Sequence, residues 1–247
     1  MKFLGIIPAR FASSRFPGKP LVDIEGQTMI QRVYEQVKKS KKIAKVIVAT
    51  DDQRIASEVL SFGGNVVMTS DTHQSGTDRC AEVISKDQEF DVVINIQGDE
   101  PFINPEQIDL LASCFENPQT KIATLVKEIE TSEELFNLNI PKVVRNTAGE
   151  AIYFSRQTIP FLRGVNQEQW LEKQTFYKHI GIYAYQVDTL RALTQLPVSG
   201  LEQAEALEQL RWIENGYAIQ TAVTTHETVA VDTKEDLDKI LKLFFNK

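Results

Sequence analysis

Val92-Val93-Ile94-Asn95-Ile96-Gln97-Gly98-Asp99-Glu100-Pro101 is a nearly continuous apolar run that ends in a glycine and two carboxylates. A strand with one wet face alternates apolar and polar residues. A run without alternation reads as a strand covered on both faces, as in a parallel sheet. Val46-Ile47-Val48-Ala49 and Val66-Val67-Met68 have the same character, and amphipathic stretches near 28–40, 52–62, 77–88 and 105–117 lie before, between and after them. This βα alternation predicts an α/β fold with a Rossmann-like, mostly parallel sheet flanked by helices. Cap residues support the boundaries. Asn104-Pro105-Glu106-Gln107 offers an N-cap, a proline at the first helical position and Gln at the third, and Thr50 with Gln53 reads as a similar box.

In such a sheet, ligands sit beyond the carboxyl ends of the strands. Four stretches fall there: Arg10 to Lys19, Thr50-Asp51-Asp52, His73 to Arg79, and Gln97 to Glu100. The first belongs to Ile6-Ile7-Pro8-Ala9-Arg10-Phe11-Ala12-Ser13-Ser14-Arg15-Phe16-Pro17-Gly18-Lys19-Pro20-Leu21, where an apolar run opens into a loop with three cations. No acid occurs in the first 22 residues of a chain whose net charge is −7. A local positive site in a negative field suits a small phosphorylated anion. The loop is not a Walker A motif, because Pro20 follows Gly18-Lys19 where Ser or Thr would be needed. No G-x-G-x-x-G occurs either, which disfavours a nicotinamide enzyme.

After about residue 140 the pattern shifts to Lys142–Arg145, Ala151–Phe154 and Tyr177–Tyr185, which read as antiparallel strands around a polar loop at 156–175. The expected organisation is one domain of 247 residues. Its nucleotide-binding core spans 1–139 and 217–247, and a smaller antiparallel, β-rich insertion covers 140–216. A helix opened by a Ser199–Glu202 capping box and closed by Gly216 follows the strands. Val229-Ala230-Val231 then reads as a strand leading into a last helix that begins at Asp232.

With 42% hydrophobic and 25% charged residues, the chain reads as an ordinary globular protein. The negative balance argues against a broad nucleic-acid-binding face. No apolar run approaches the ~20 residues of a membrane span. Cys80 and Cys114 form no C-x-x-C pair, so neither a disulfide framework nor a zinc site is expected, and the cytoplasm is the natural compartment. Neither cysteine lies beside a recognisable base, and no Ser-His-Asp order is evident. A direct displacement without a covalent intermediate fits this inventory.

Ile-Pro-Ala-Arg followed by Ser14-Arg15-Phe16-Pro17-Gly18-Lys19-Pro20-Leu21 resembles the N-terminal signature of sugar nucleotidyltransferases that use CTP. Ser14 and Phe16 stand where Thr and Leu are commoner. Ala49-Thr50-Asp51-Asp52, His73-Gln74-Ser75-Gly76-Thr77-Asp78-Arg79, Asn95 to Pro101 and Val231-Asp232-Thr233 extend the likeness over essentially the whole chain. Together they resemble the 3-deoxy-manno-octulosonate (Kdo) cytidylyltransferase family.

The resemblance implies a Mg²⁺-dependent transfer of CMP from CTP to the anomeric hydroxyl of Kdo, for lipopolysaccharide biosynthesis, by a homodimer. It assigns Arg10, Arg15 and Lys19 to the phosphates, and Ser75, Gly76, Thr77 and Arg79 to the nucleotide pocket. Asp99 and Asp232 are assigned to the metal, and Arg10, Lys19, Asp99 and Asp232 together to catalysis. Gln97, Arg156, His179, Tyr183 and Glu208 are assigned to the sugar acid. Several of these residues have plainer readings. Asp232 also reads as an N-cap with Glu235 three residues on, and Thr77 as the cap of its own helix. Glu208 lies on a polar line beside Leu201, Ala204, Leu207 and Leu210, as on any amphipathic helix. Two other functions stay open. One is a cytidylyltransferase for another acidic sugar, such as a sialic acid or amino-Kdo. The other is a non-catalytic nucleotide-binding module, which would bind CTP without turning over any sugar.

Overall fold

A computed structural model of the chain describes residues 1–12, 16–86 and 89–245. Its secondary structure falls into two compact units, residues 1–112 with 228–247 and residues 113–227. The fold is mixed α/β, with a mostly parallel sheet flanked by helices and a smaller antiparallel part.

In the first unit the chain runs through β1 (Phe3–Ala9), the two-residue pair β2 (Asp23–Ile24) and β3 (Gln27–Thr28), α1 (Met29–Lys38), β4 (Ile43–Thr50) and α2 (Gln53–Ser61). It continues through β5 (Val66–Met68), α3 (Gly76–Lys86), β6 (Val92–Asn95) and α4 (Pro105–Ser113). Strands β6, β1, β4 and β5 lie side by side in that order, all parallel, with Ile6 opposite both Ile47 and Asn95. Parallel alignment brings the carboxyl ends of all four strands to one edge. Every residue of β6 is buried, as its unbroken apolar run predicts.

The second unit contains β7 (Ile122–Glu128), α5 (Ser132–Phe136), β8 (Lys142–Arg145), β9 (Ala151–Ser155), α6 (Trp170–Lys173) and β10 (Tyr177–Gln186). Then come α7 (Val187–Leu193), α8 (Gly200–Glu205), α9 (Gln209–Glu214) and β11 (Gln220–Val223). Its strand order is β11-β7-β10-β8-β9, antiparallel except for β11 against β7. Ile129, Leu135, Trp170 and Phe176 form a core cluster of this unit. The chain then returns to the first unit for α10 (Lys234–Phe245). There Val231 and Ile240 join Phe16, Ile24 and Met29 in a buried cluster.

Several expected boundaries move. The compact unit that contains the expected insertion of 140–216 spans 113–227, and within it β7 and β11 pair with each other and β7 pairs with β10. Asp52, rather than Thr50, caps α2, accepting a hydrogen bond from the Arg54 amide. Residues 229–231 form no regular strand, although the Val231 amide donates to the Asp99 carbonyl at 2.9 Å. The helix expected from Ser199 to Gly216 is two helices. Ala206 adopts a left-handed conformation at φ 51° and separates α8 from α9.

Candidate active site

At the carboxyl edge of the first unit's sheet, β1 delivers Arg10 and the cationic loop. The Gly18 amide closes that loop by donating to the Phe11 carbonyl at 3.0 Å. Gly18 sits at φ +73°, and a Cβ there would lie 3.2 Å from the Phe11 ring, so both conformation and space favour glycine. A short 3₁₀ turn, Lys19–Leu21, then fixes the Lys19 backbone. Arg15, expected on the phosphates, lies outside the described residues.

The Lys19 ammonium reaches Asp99 Oδ2 at 2.7 Å and Asp232 Oδ1 at 3.3 Å. Two carboxylates 133 positions apart thus converge on one cation. Gly98 lets the Asp99 loop pass against β1, since a Cβ there would fall 2.7 Å from the Pro8 carbonyl oxygen. The cap reading of Asp232 does not describe this geometry. Thr233 and Asp236 exchange the capping hydrogen bonds at the start of α10, leaving the Asp232 side chain turned to Lys19. Glu100 is buried beside Asp99. Burial first, and the Asp99 charge second, push its carboxyl up to about 8, so Glu100 is mostly protonated at neutral pH.

The third motif is held by a different network. Ser75, not Thr77, caps α3: its hydroxyl accepts from the Asp78 amide, and the Asp78 carboxylate accepts from the Ser75 amide, both at 3.1 Å. Thr77 is buried in the first turn. Gly76 faces Pro8 and Asn95 at ordinary contact distance, so protein packing alone does not require glycine there. An Arg10 guanidinium nitrogen donates to the His73 carbonyl at 2.5 Å, joining the first motif to the third. His73 in turn meets Glu82 at 2.7 Å. Burial, the largest single influence on Glu82, would raise its pKa. Hydrogen bonds from Lys86, the Ser70 amide and His73 outweigh it and hold the carboxyl at about 2.

Arg79 is fully buried, with its guanidinium donating to Thr69 Oγ1 at 2.5 Å, the Ser70 carbonyl at 3.2 Å and Asp51 Oδ2 at 3.1 Å. These bonds tie together the loops that leave β4 and β5. Gln97 lies two residues beyond β6 and is half-buried at the same edge.

The remaining sugar-site candidates lie in the second unit. Arg156 donates to the carbonyls of Glu205 at 2.6 Å and Ala206 at 3.2 Å, and its amide donates to the Glu205 carboxylate at 3.0 Å. The break between α8 and α9 therefore presents carbonyls to this guanidinium, and Glu208 sits at the start of α9 rather than within one long helix. A bulge in β10 between Ile180 and Tyr183 is organised by Thr124, whose hydroxyl lies 2.8 Å from the Ile182 carbonyl and 3.1 Å from His179 Nε2. Desolvation pushes the His179 imidazole down to about 4, so it is neutral at pH 7. Tyr183 packs edge-on against Trp212, with ring centroids 5.1 Å apart. Burial, then the Glu208 charge, holds its phenol well above the usual range. A separate cavity of about 390 Å³ in this unit, lined by Lys121, Glu150, Tyr217 and Gln220 among others, includes none of the predicted site residues.

Three positioning features escaped the sequence reading. Arg54 stacks over the Phe11 ring at 3.2 Å while forming two bonds to Asp52, which braces the base of the cationic loop. Glu205 and Thr124 orient Arg156 and His179 respectively. No local pattern announces them, because each depends on partners brought together by the fold.

The profile of the cytidylyltransferase family matches residues 4–237. A 3-deoxy-manno-octulosonate cytidylyltransferase of Parabacteroides distasonis is 57% identical over the full length of both chains. One from Cytophaga hutchinsonii is 59% identical over 97% of this chain and 96% of its own. A solved CMP:2-keto-3-deoxy-manno-octonic acid synthetase complexed with CTP superposes with a TM-score of 0.93 at 44% identity, covering 100% of this chain and 99% of that one.

Proposed function

The chain belongs to the cytidylyltransferase family, and from that premise we infer the task of each side chain described above. It transfers CMP from CTP to the anomeric hydroxyl of 3-deoxy-D-manno-octulosonate, giving CMP-Kdo and pyrophosphate. The observation that carries the assignment of roles is the convergence of Lys19, Asp99 and Asp232 at one sheet edge.

The donor set fits Mg²⁺. This hard cation takes one or two carboxylates and completes its shell with water and substrate phosphates, so it needs no larger cluster of protein ligands. Asp99 and Asp232 supply two carboxylates that already share a cation, and their side chains keep 25% and 40% of their exposure, leaving access for ions. When bound there, Mg²⁺ supplies charge neutralisation around the α-phosphate and the attacking hydroxyl. Arg10 and Lys19, with Arg15 by resemblance, hold the phosphates and stabilise the departing pyrophosphate. Ser75, Gly76 and Thr77 shape the nucleotide pocket, and Arg79 holds that pocket's loops. In the second unit Arg156 offers a planar cation to the sugar carboxylate. Neutral His179 and Tyr183, with Glu208, serve the sugar hydroxyls, and Gln97 is given to the sugar by resemblance alone. Catalysis on this reading is alignment and charge neutralisation, without a covalent intermediate.

The same reading makes the enzyme a cytoplasmic homodimer whose product feeds lipopolysaccharide assembly. Light scattering at twice the chain mass checks the dimer. A matrix of four nucleoside triphosphates against Kdo, amino-Kdo and a sialic acid, read by pyrophosphate release, tests the substrates. CTP with Kdo should give the highest rate. Faster release with another sugar acid would reassign the acceptor, and CTP binding without release for any sugar would leave a non-catalytic module.

A further inference from the structure

Lys19 is assigned to the phosphates, yet its ammonium lies between the two carboxylates assigned to the metal. The side chain is only 13% exposed, so this is a semi-enclosed ion pair rather than a wet surface contact. The 3₁₀ turn fixes the backbone at Lys19, and Pro20 within it restricts that turn further, so any relocation belongs to the flexible four-carbon stem. The carboxylates themselves are held close by the bond from the Val231 amide to the Asp99 carbonyl. Left without a cation they would repel each other across a partly desolvated gap.

We propose that Lys19 is the resident counter-ion of the Asp99–Asp232 pair and moves onto the triphosphate when CTP binds, so that nucleotide and divalent cation load together. The inference rests on reading Asp99 and Asp232 as the metal ligands. One ammonium cannot neutralise both the carboxylates and the phosphates. A divalent ion entering before CTP meets a positive charge already at its site. CTP provides an alternative anion for Lys19, and its departure uncovers two carboxylates for the metal. The device disfavours metal without substrate, which keeps the carboxylates available for the metal–nucleotide complex.

The consequence is opposite to that expected for an ordinary active-site cation: deleting Lys19 strengthens metal binding to the nucleotide-free protein. Mn²⁺ serves as the probe, titrated into nucleotide-free protein and followed by the electron paramagnetic resonance signal of the free ion. Wild type, Lys19→Met, Lys19→Gln, Asp99→Asn and the Lys19→Met/Asp99→Asn double variant are compared, with circular dichroism and melting curves verifying the fold. Removing a unit charge within about 4 Å of the ion should tighten Mn²⁺ binding about tenfold or more in both Lys19 variants. Adding Asp99→Asn should abolish the gain. Unchanged or weaker binding in folded Lys19 variants, with Asp99-dependent Mn²⁺ binding still present when CTP is added, overturns the counter-ion proposal and leaves the metal site standing. Mn²⁺ binding that ignores Asp99 in every variant, with or without CTP, overturns the metal assignment and the proposal with it.

Discussion

Arg79 tests whether a residue at a nucleotide-binding motif acts on the ligand or on the motif. Its guanidinium is fully buried and spends its terminal nitrogens on Asp51, Thr69 and Ser70. Replacing it by Met keeps much of the volume but strands Asp51 and two oxygen acceptors. Removing one member of a buried ion pair costs about 3–5 kcal/mol. Asp51 keeps 19% of its side-chain exposure, so about 3 kcal/mol is the appropriate end of that range. With an unfolding entropy of about 2.1 cal/mol/K per residue, a chain of 247 residues melting as a whole should lose about 6 °C. If the first unit melts by itself, the shift is roughly double. Scanning calorimetry of Arg79→Met without nucleotide measures this, and CTP titration calorimetry below the transition measures the site. We expect the large loss in melting temperature and a CTP affinity reduced by less than about tenfold. A melting temperature within about 2 °C of wild type, together with a hundredfold loss of CTP affinity, would show that Arg79 contacts the nucleotide and that the internal bonds are dispensable.

Asp99→Asn and Asp232→Asn should each lower turnover about a hundredfold, or about 3 kcal/mol at the barrier. If both act through one ion, the double variant should lose far less than the product, and fully multiplicative losses would separate them. Arg156→Lys should raise the KM for Kdo at least tenfold with CTP affinity nearly unchanged, because Lys cannot span the Glu205 and Ala206 carbonyls while presenting a planar face; a parallel fall in CTP affinity in binding calorimetry would contradict this. For His179 the folded pKa of about 4 lies below the unfolded value near 6.5, so protons bind preferentially to the unfolded chain as pH falls. The resulting penalty is absent above 6.5, reaches about 2 kcal/mol by pH 5 and is complete below 4. His179→Asn should lack this component of the acid-induced loss in urea midpoints taken at pH 7.5 and 5, and identical loss in both proteins would refute the buried neutral imidazole.

The parallel half of the fold was legible because burial on two faces leaves an unbroken apolar run, as in Val92–Asn95, and because caps such as Asn104 with Gln107 act within four residues. Asp99 was legible at the sheet edge because it follows such a run, but its meeting with Asp232 came from the resemblance: the strand expected at 229–231 does not form, and the Val231 amide bonded to the Asp99 carbonyl holds that segment instead. What the residues at the edge do to one another was not legible. Helical spacing across Leu201, Ala204, Leu207 and Leu210 argued for a continuous helix, but the left-handed turn at Ala206 breaks it and Arg156 bonds the exposed carbonyls. Thr77 and Thr50 looked like caps by composition, whereas hydrogen-bond geometry chose Ser75 and Asp52. The pairing of β7 with β10 and β11, strands distant in sequence, is a non-local choice that no window of sequence records.

The return of residues 228–247 to the first unit also sets an order of events in time. Translation runs from the amino end, so a nascent chain arrested before residue 228 carries Asp99 without Asp232. It also has Met29 and Ile24 without the Val231 and Ile240 that cover them. By then every residue of the second unit has been made, including the Trp170 cluster and all five of its strands. The unit begun first is finished last. Asp99 therefore waits for 133 further residues to be made before Asp232 exists to join it at Lys19.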